Sequence, residues 1–145
     1  MSTRENIASN LVTVIGNISS PDVKKVTRQP FELDELSQQQ YPAVLIQTIE
    51  ETKEDQEIGS GAKTRIGTLE FGITGYIKGS ESNIDTARND LASAVETALE
   101  SDITRNGNAL DTEVISIETD AGSLFPYGAV LITVRVIYEH QAATP

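Results

Sequence analysis

Residues 57–67 read EIGSGAKTRIG, three glycines, a lysine and a threonine in one short stretch. That lettering approaches a phosphate cradle, in which G-x-x-x-x-G-K-[ST] sits between a strand and a helix and turns backbone N–H groups onto an anion. Here Lys63 and Thr64 follow Ala62, the upstream glycine position holds Glu57, and the segment after Thr64 alternates like a strand. Glu50, Glu51, Glu54, Asp55 and Glu57 crowd the approach and repel anions. The stretch reads as a long, solvated, mobile connection between two strands and not as a nucleotide site.

The other chemically capable residues are few. Asp111 with Glu113, and Glu118 with Asp120, have strand spacing, so each pair faces one way and would suit a hard cation or acid–base work. Such pairs more often line a solvated strand face. The one histidine, His140, stands beside Glu139 in the tail HQAATP, which reads as frayed. With one histidine and no cysteine, neither a usual zinc site nor a nucleophile–base–orienter set assembles. No G-x-S-x-G elbow and no H-E-x-x-H occurs. No catalytic residue, metal ligand or cofactor site is expected. Arg135 differs: it stands mid-strand among apolar residues, where a charge needs a partner. An internal salt bridge and a contact across a subunit interface both satisfy that need.

Composition narrows the class further. The 145 residues suit a single domain able to bury a core without staples. Acidic residues outnumber basic ones 22 to 11, a formal charge of −11 that repels phosphate backbones and disfavours nucleic-acid binding by charge. Tryptophan is absent and aromatics are 5% of the chain, so base-stacking platforms are not expected. No signal-peptide pattern and no membrane-length apolar run is present, so a soluble protein made in a cytoplasm is expected.

The elements that must position these residues follow from periodicity. Residues 3–16 space Ile7, Ala8, Leu11 and Ile15 as a helix, capped by Ser2 or Thr3 and ended by Gly16. A short strand fits around Val23–Val26, followed by a loop to Pro42. YPAVLI opens a strand buried on both faces. In RIGTLEFGITGYIK, Leu69, Phe71, Ile73 and Ile77 share one face; Gly67, Gly72 and Gly75 mark bulges or close approaches. Residues 83–100 form the strongest helix, capped by Asn83 or Ser82. Its apolar stripe is Ile84, Ala87, Leu91, Ala94, Val95, Ala98 and Leu99, and Arg88, Asn89, Glu96 and Glu100 lie on its polar face. RNGN at 105–108 is a turn. Residues 112–119 place Ile115 and Ile117 on one face, and 128–139 place Val130, Ile132, Val134, Val136 and Tyr138 on one face, with Leu131, Thr133, Arg135 and Ile137 on the other. The order α, weak β, ββ, α, ββ predicts an α+β fold: a mixed or antiparallel sheet of four to five strands with two helices packed on one face.

In that order the segments resemble the tail terminator (tail completion) proteins of long-tailed bacteriophages. The resemblance is carried by RENIASNLV near the start, VTRQP at 26–30, YPAVLI at 41–46, the polar insertion, GYIKG at 75–79, the D-x-A-R-N-D-L-A-S-A-V-E-x-A-L helix and VIYEH at 136–140. It covers nearly the whole length. It implies a structural virion protein, not an enzyme: a homo-hexameric ring that caps the tail-tube protein, ends its polymerisation and presents a surface to a neck or head-completion protein, with DNA passing through the lumen and no membrane or cofactor involved. The hairpin tip at 51–65 is then the expected docking point, through Glu54, Asp55, Glu57, Lys63 and Arg65, with Arg135 at a subunit interface. Another neck component, such as a head-closure or adaptor ring, and a small metal-dependent hydrolase using Asp111 and Glu113, are the alternatives.

Overall fold

The computed structural model of the chain describes residues 2–32, 35–55, 63–79, 83–121 and 126–145. Helix α1 (Thr3–Gly16) starts where the Ser2 side chain accepts a hydrogen bond from the Glu5 backbone N–H, satisfying one of the donors a helix start leaves open. It ends on Asn17, and it buries Ile7, Ala8, Leu11 and Ile15. Strand β1 (Lys25–Thr27) is short, and a single 3₁₀ turn (Gln38–Gln40) precedes the long antiparallel pair β2 (Ala43–Asp55) and β3 (Thr64–Lys78). Helix α2 (Ile84–Glu100) leads to β4 (Asp111–Thr119) and β5 (Tyr127–Gln141).

The sheet order is β1-β2-β3-β5-β4, with β1 parallel to β2 and every other pair antiparallel. This is the expected α+β arrangement with a five-stranded mixed sheet. Strand β5 enters between β3 and β4, so α2 carries the chain over β5 to reach β4. Both helices cover one face. The core between helices and sheet holds Ile7, Leu11 and Ile15 from α1, Leu91, Val95 and Leu99 from α2, and Val44, Ile46, Phe71, Ile73, Ile132, Val134 and Val136 from the strands. Burying such side chains stabilises the fold by roughly 1.5–3 kcal/mol each.

The strand glycines are sites of close approach. A Cβ on Gly75 would stand 2.5 Å from Leu91 Cδ2, which is how α2 seats on β3, and one on Gly67 would stand 2.5 Å from the Tyr138 ring. The bulges lie elsewhere, on the two flanking strands: register shifts fall between Thr48 and Glu50 in β2, and between Val114 and Ser116 in β4.

Four expectations are corrected. Ile115 and Ile117 do not share a face, because the β4 bulge falls at Ile115: Ile117 is opposite the core residue Ile132, whereas Ile115 lines the far face with Arg135 and Glu70. Arg88 is not on the polar face of α2. It is 6% exposed, because the 84-88-91-95-99 spacing puts it in the buried row, and it reaches Asp120 at 2.5 Å and Asp85 at 2.9 Å. In the apolar stripe, Ala92 is buried, whereas Ala94 and Ala98 line an open groove beside α1. His140 is not in a frayed tail: β5 continues to Gln141, pairing Arg65 with His140 and Thr64 with Gln141, and Ala142 donates to the Lys63 carbonyl.

The 105–108 turn is present, with Arg105 and Asn106 at φ 50° and 60° and Gly107 at 84°. Arg105 is fully buried and donates to the carbonyls of Leu99 and Asp102, placing a cation on the open carbonyls that end α2. Among the described residues no helix is long and apolar enough to cross a membrane.

Candidate functional site

The sheet face away from the helices divides into two parts. At the start of β2 it is covered by aromatics: Phe31 meets Tyr76 edge-on at 5.5 Å between ring centroids, and Tyr41 meets Tyr127 at 5.7 Å. This segment explains why Ala43, Val44, Leu45 and Ile46 are all buried, as the apolar YPAVLI run predicts. Beyond Ile46 the face is bare. Ile49 is 58% exposed, Ile115 46% and Leu131 36%.

Local structure creates this exposure. The β2 bulge turns Ile49 onto the bare face, where its Cδ1 lies 2.9 Å from the position a Cβ on Gly72 would take; Leu131 Cδ1 lies 3.7 Å from the same point. Gly72 thus lets two aliphatic side chains converge over a central strand. The β4 bulge does the same for Ile115 on the opposite edge. Beside these residues is a hollow of about 130 Å³ lined by Glu50, Thr52, Thr68, Glu70, Ile115 and Arg135. Glu50 and Glu70 stand directly opposite in register. Strand β1 pairs only with Ala43–Leu45, so the rest of β2 has a single strand neighbour.

The residues singled out from sequence fall in three places. Arg135 lies on the bare face, opposite Glu113 in register, and its Nη2 donates to Glu113 Oε1, so its charge has an internal partner. Asp55, Lys63 and Arg65 meet at the open end of the β2–β3 pair: Arg65 Nε donates to Asp55 at 2.9 Å, and Lys63 Nζ is 3.9 Å away. Glu54 is exposed opposite Ile66. Glu57 and the tip at 56–62 lie outside the described residues. Asp111 accepts from the Thr112 N–H, Glu113 is taken by Arg135, and Asp120 is taken by Arg88, so the two carboxylate pairs do not converge on a common point. No group of three or more potential metal-ligating side chains occurs among the described residues.

Sequence reasoning missed a polar cluster on the helix side of the sheet. Arg4 of α1 donates to Glu51 through Nε at 3.0 Å and Nη2 at 2.6 Å; the Tyr138 hydroxyl donates to the other Glu51 oxygen. Lys53 Nζ donates to the Tyr138 oxygen at 3.0 Å and lies 2.5 Å from His140 Nε2. Burial, and then the hydrogen bond to Glu51, push the Tyr138 hydroxyl up to about 12. Burial works against the Glu51 carboxylate, yet the bonds from Arg4 and Tyr138 hold it below its ordinary value. Burial also lowers Lys53, against the pull of Glu51. Glu51 and Lys53 on β2 come near Tyr138 and His140 across the intervening β3, and the sequence signals the cluster only once the bulge at Ile49 is known, because that bulge decides which face Glu51 takes. Every group in it has a partner, which makes it a clasp joining α1 to the ends of β2 and β5.

No protein-family model matches the sequence, and no curated protein matches it. Among solved structures, the chain aligns with one described as "Virion of native gene transfer agent (GTA) particle" at TM-score 0.48 and 13% identity, over 96% of this chain and 92% of that one.

Proposed function

We propose that the chain is a structural, non-enzymatic virion protein of a tailed-phage-like particle. In this reading it assembles as a single domain into a ring of copies, six by the tail-terminator resemblance. The ring caps the tail tube, stops its growth and meets the head or neck, while DNA passes through the lumen. One observation carries the reading: the half-bare sheet face, with Ile49, Leu131 and Ile115 exposed beside two bulged strands. Soluble proteins seldom leave such a face open unless another chain covers it. Two further features support it. The acidic surface avoids phosphate contacts, each of which would add salt-dependent affinity and slow passing DNA. The carboxylates most suited to catalysis are occupied by arginines or a backbone N–H.

The test is the mass of the purified protein in solution, alone and with isolated tail tubes, with electron microscopy of the tube ends. A hexamer alone, or rings seated on tube ends, is the expected result. Paired substitutions Ile49→Asp and Leu131→Asp should abolish both while leaving circular dichroism unchanged. A chain that stays monomeric and leaves tube ends bare would overturn the reading.

A further inference from the structure

The chain has eleven basic residues. Eight of them, Arg4, Lys24, Arg28, Lys53, Lys63, Arg65, Arg88 and Arg135, are ion-paired to carboxylates within the molecule. Arg105 is buried against carbonyls. Lys25 is half-buried in β1. That leaves Lys78, exposed at the end of β3, as a surface cation with no ion pair among the described residues; its ammonium rests 5.5 Å from the Tyr127 ring centroid.

Glu50 and Glu70 show the opposite imbalance. They are cross-strand neighbours on the bare face, and neither forms an ion pair among the described residues. Like charges directly opposite on adjacent strands repel and weaken the sheet. Arg135 lines the same hollow and is opposite Glu70 in register, but its guanidinium is taken by Glu113. A cation set between the two glutamates would relieve the repulsion, and Thr52 and Thr68 supply hydroxyls around it.

Lys78 cannot fill this hollow in its own chain. It lies eight residues along β3 from Glu70, about 26 Å at the rise of an extended strand. We propose that Lys78 of one copy seats between Glu50 and Glu70 of the next, alongside the apolar contact made by Ile49, Leu131 and Ile115. The donor stands at the end of β3 and the acceptor near the middle of β2 and β3, two different patches, so the contact repeats head to tail, as a ring requires. A chain of charge −11 needs such complementarity to bring copies together at all. The inference rests on the self-assembling reading above.

Charge exchange tests it. Lys78→Glu alone, and Glu50→Lys with Glu70→Lys, should each weaken self-association roughly tenfold or more, by sedimentation at moderate salt. Tail tubes are added if the wild type needs them. An equal mixture of the two variants should restore assembly, because each then offers what the other lacks. Lys78 and Glu50 are exposed and Glu70 is half-buried beside the hollow, and circular dichroism of each variant should match the wild type. Wild-type assembly with variants that assemble equally well, or a mixture that fails to recover, would overturn the inference and leave the ring reading standing. A wild type that never assembles, with or without tubes, would sink the ring reading itself.

Discussion

Gly67 and Tyr138 are paired in register across β3 and β5, and the Tyr138 ring occupies the space a side chain at 67 would need. A Cβ there would stand 2.5 Å from Cε1 and 2.8 Å from Cζ. The ring cannot swing aside freely, since its hydroxyl is held by Glu51 and Lys53. Gly67→Ala should therefore destabilise the fold by about 1–3 kcal/mol, the usual range for overpacking. Urea unfolding with an unchanged slope would show it; a loss under about 0.5 kcal/mol would mean the ring moves easily.

Tyr138 should also be the last tyrosine to ionise. Its hydroxyl is pushed to about 12, above the ordinary value near 10. A group raised in the folded state contributes its stability fully below its unfolded value. That contribution is lost as pH rises from about 10 through about 12. Tyrosinate absorbance should show one late phase, removed by Tyr138→Phe and moved to lower pH by Glu51→Gln. A single phase near pH 10 for all four tyrosines would contradict the clasp.

The Arg88–Asp120 pair makes a different prediction. Both side chains are nearly buried, at 7% and 5% exposure. Removing one partner leaves the other charge stranded, so Arg88→Met should cost about 3–5 kcal/mol. Replacing both, Arg88→Met with Asp120→Leu, should cost clearly less than the sum of the two single changes. A double-mutant cycle by denaturant unfolding measures the difference, and simple additivity would show that the two charges do not depend on each other.

The open end of β2 and β3 offers a separable test of docking. Asp55 and Arg65 are the outermost register pair, tied by a 2.9 Å ion pair, so the fold below them does not need a long connection. Replacing residues 56–62 with Asn-Gly should change the unfolding midpoint little, because loop closure depends only weakly on length. If the tip docks on a neighbour, joining of tubes to heads should fall. Normal joining by a folded variant would remove the tip from the docking surface.

Much of this architecture is legible in the sequence because it rests on periodicity. The spacing of Ile7, Ala8, Leu11 and Ile15, and the alternation from Leu69 to Ile77 and from Val130 to Tyr138, each report one buried face. What escapes is the bulge. One extra residue at Ile49 and one at Ile115 reverse the faces beyond them, and neither residue type marks the event. The bare face and the Glu51 clasp both depend on those reversals. Arg88 escaped for a different reason: residue type argued for the surface and spacing for the interior, and the buried acid that resolves the conflict lies 32 residues away.

The position of β5 has a consequence for how the protein is made. Of the five strands it emerges from the ribosome last, yet it lies between β3 and β4 and pairs with both. Until it arrives, β4 has no partner and β3 has one, and the bare face has no continuous floor. A nascent or truncated chain therefore lacks the surface that would recruit a neighbour. On the self-assembling reading proposed above, threading β5 through the middle of the sheet would act as a completion check, because only a finished subunit would present the face that joins a neighbour.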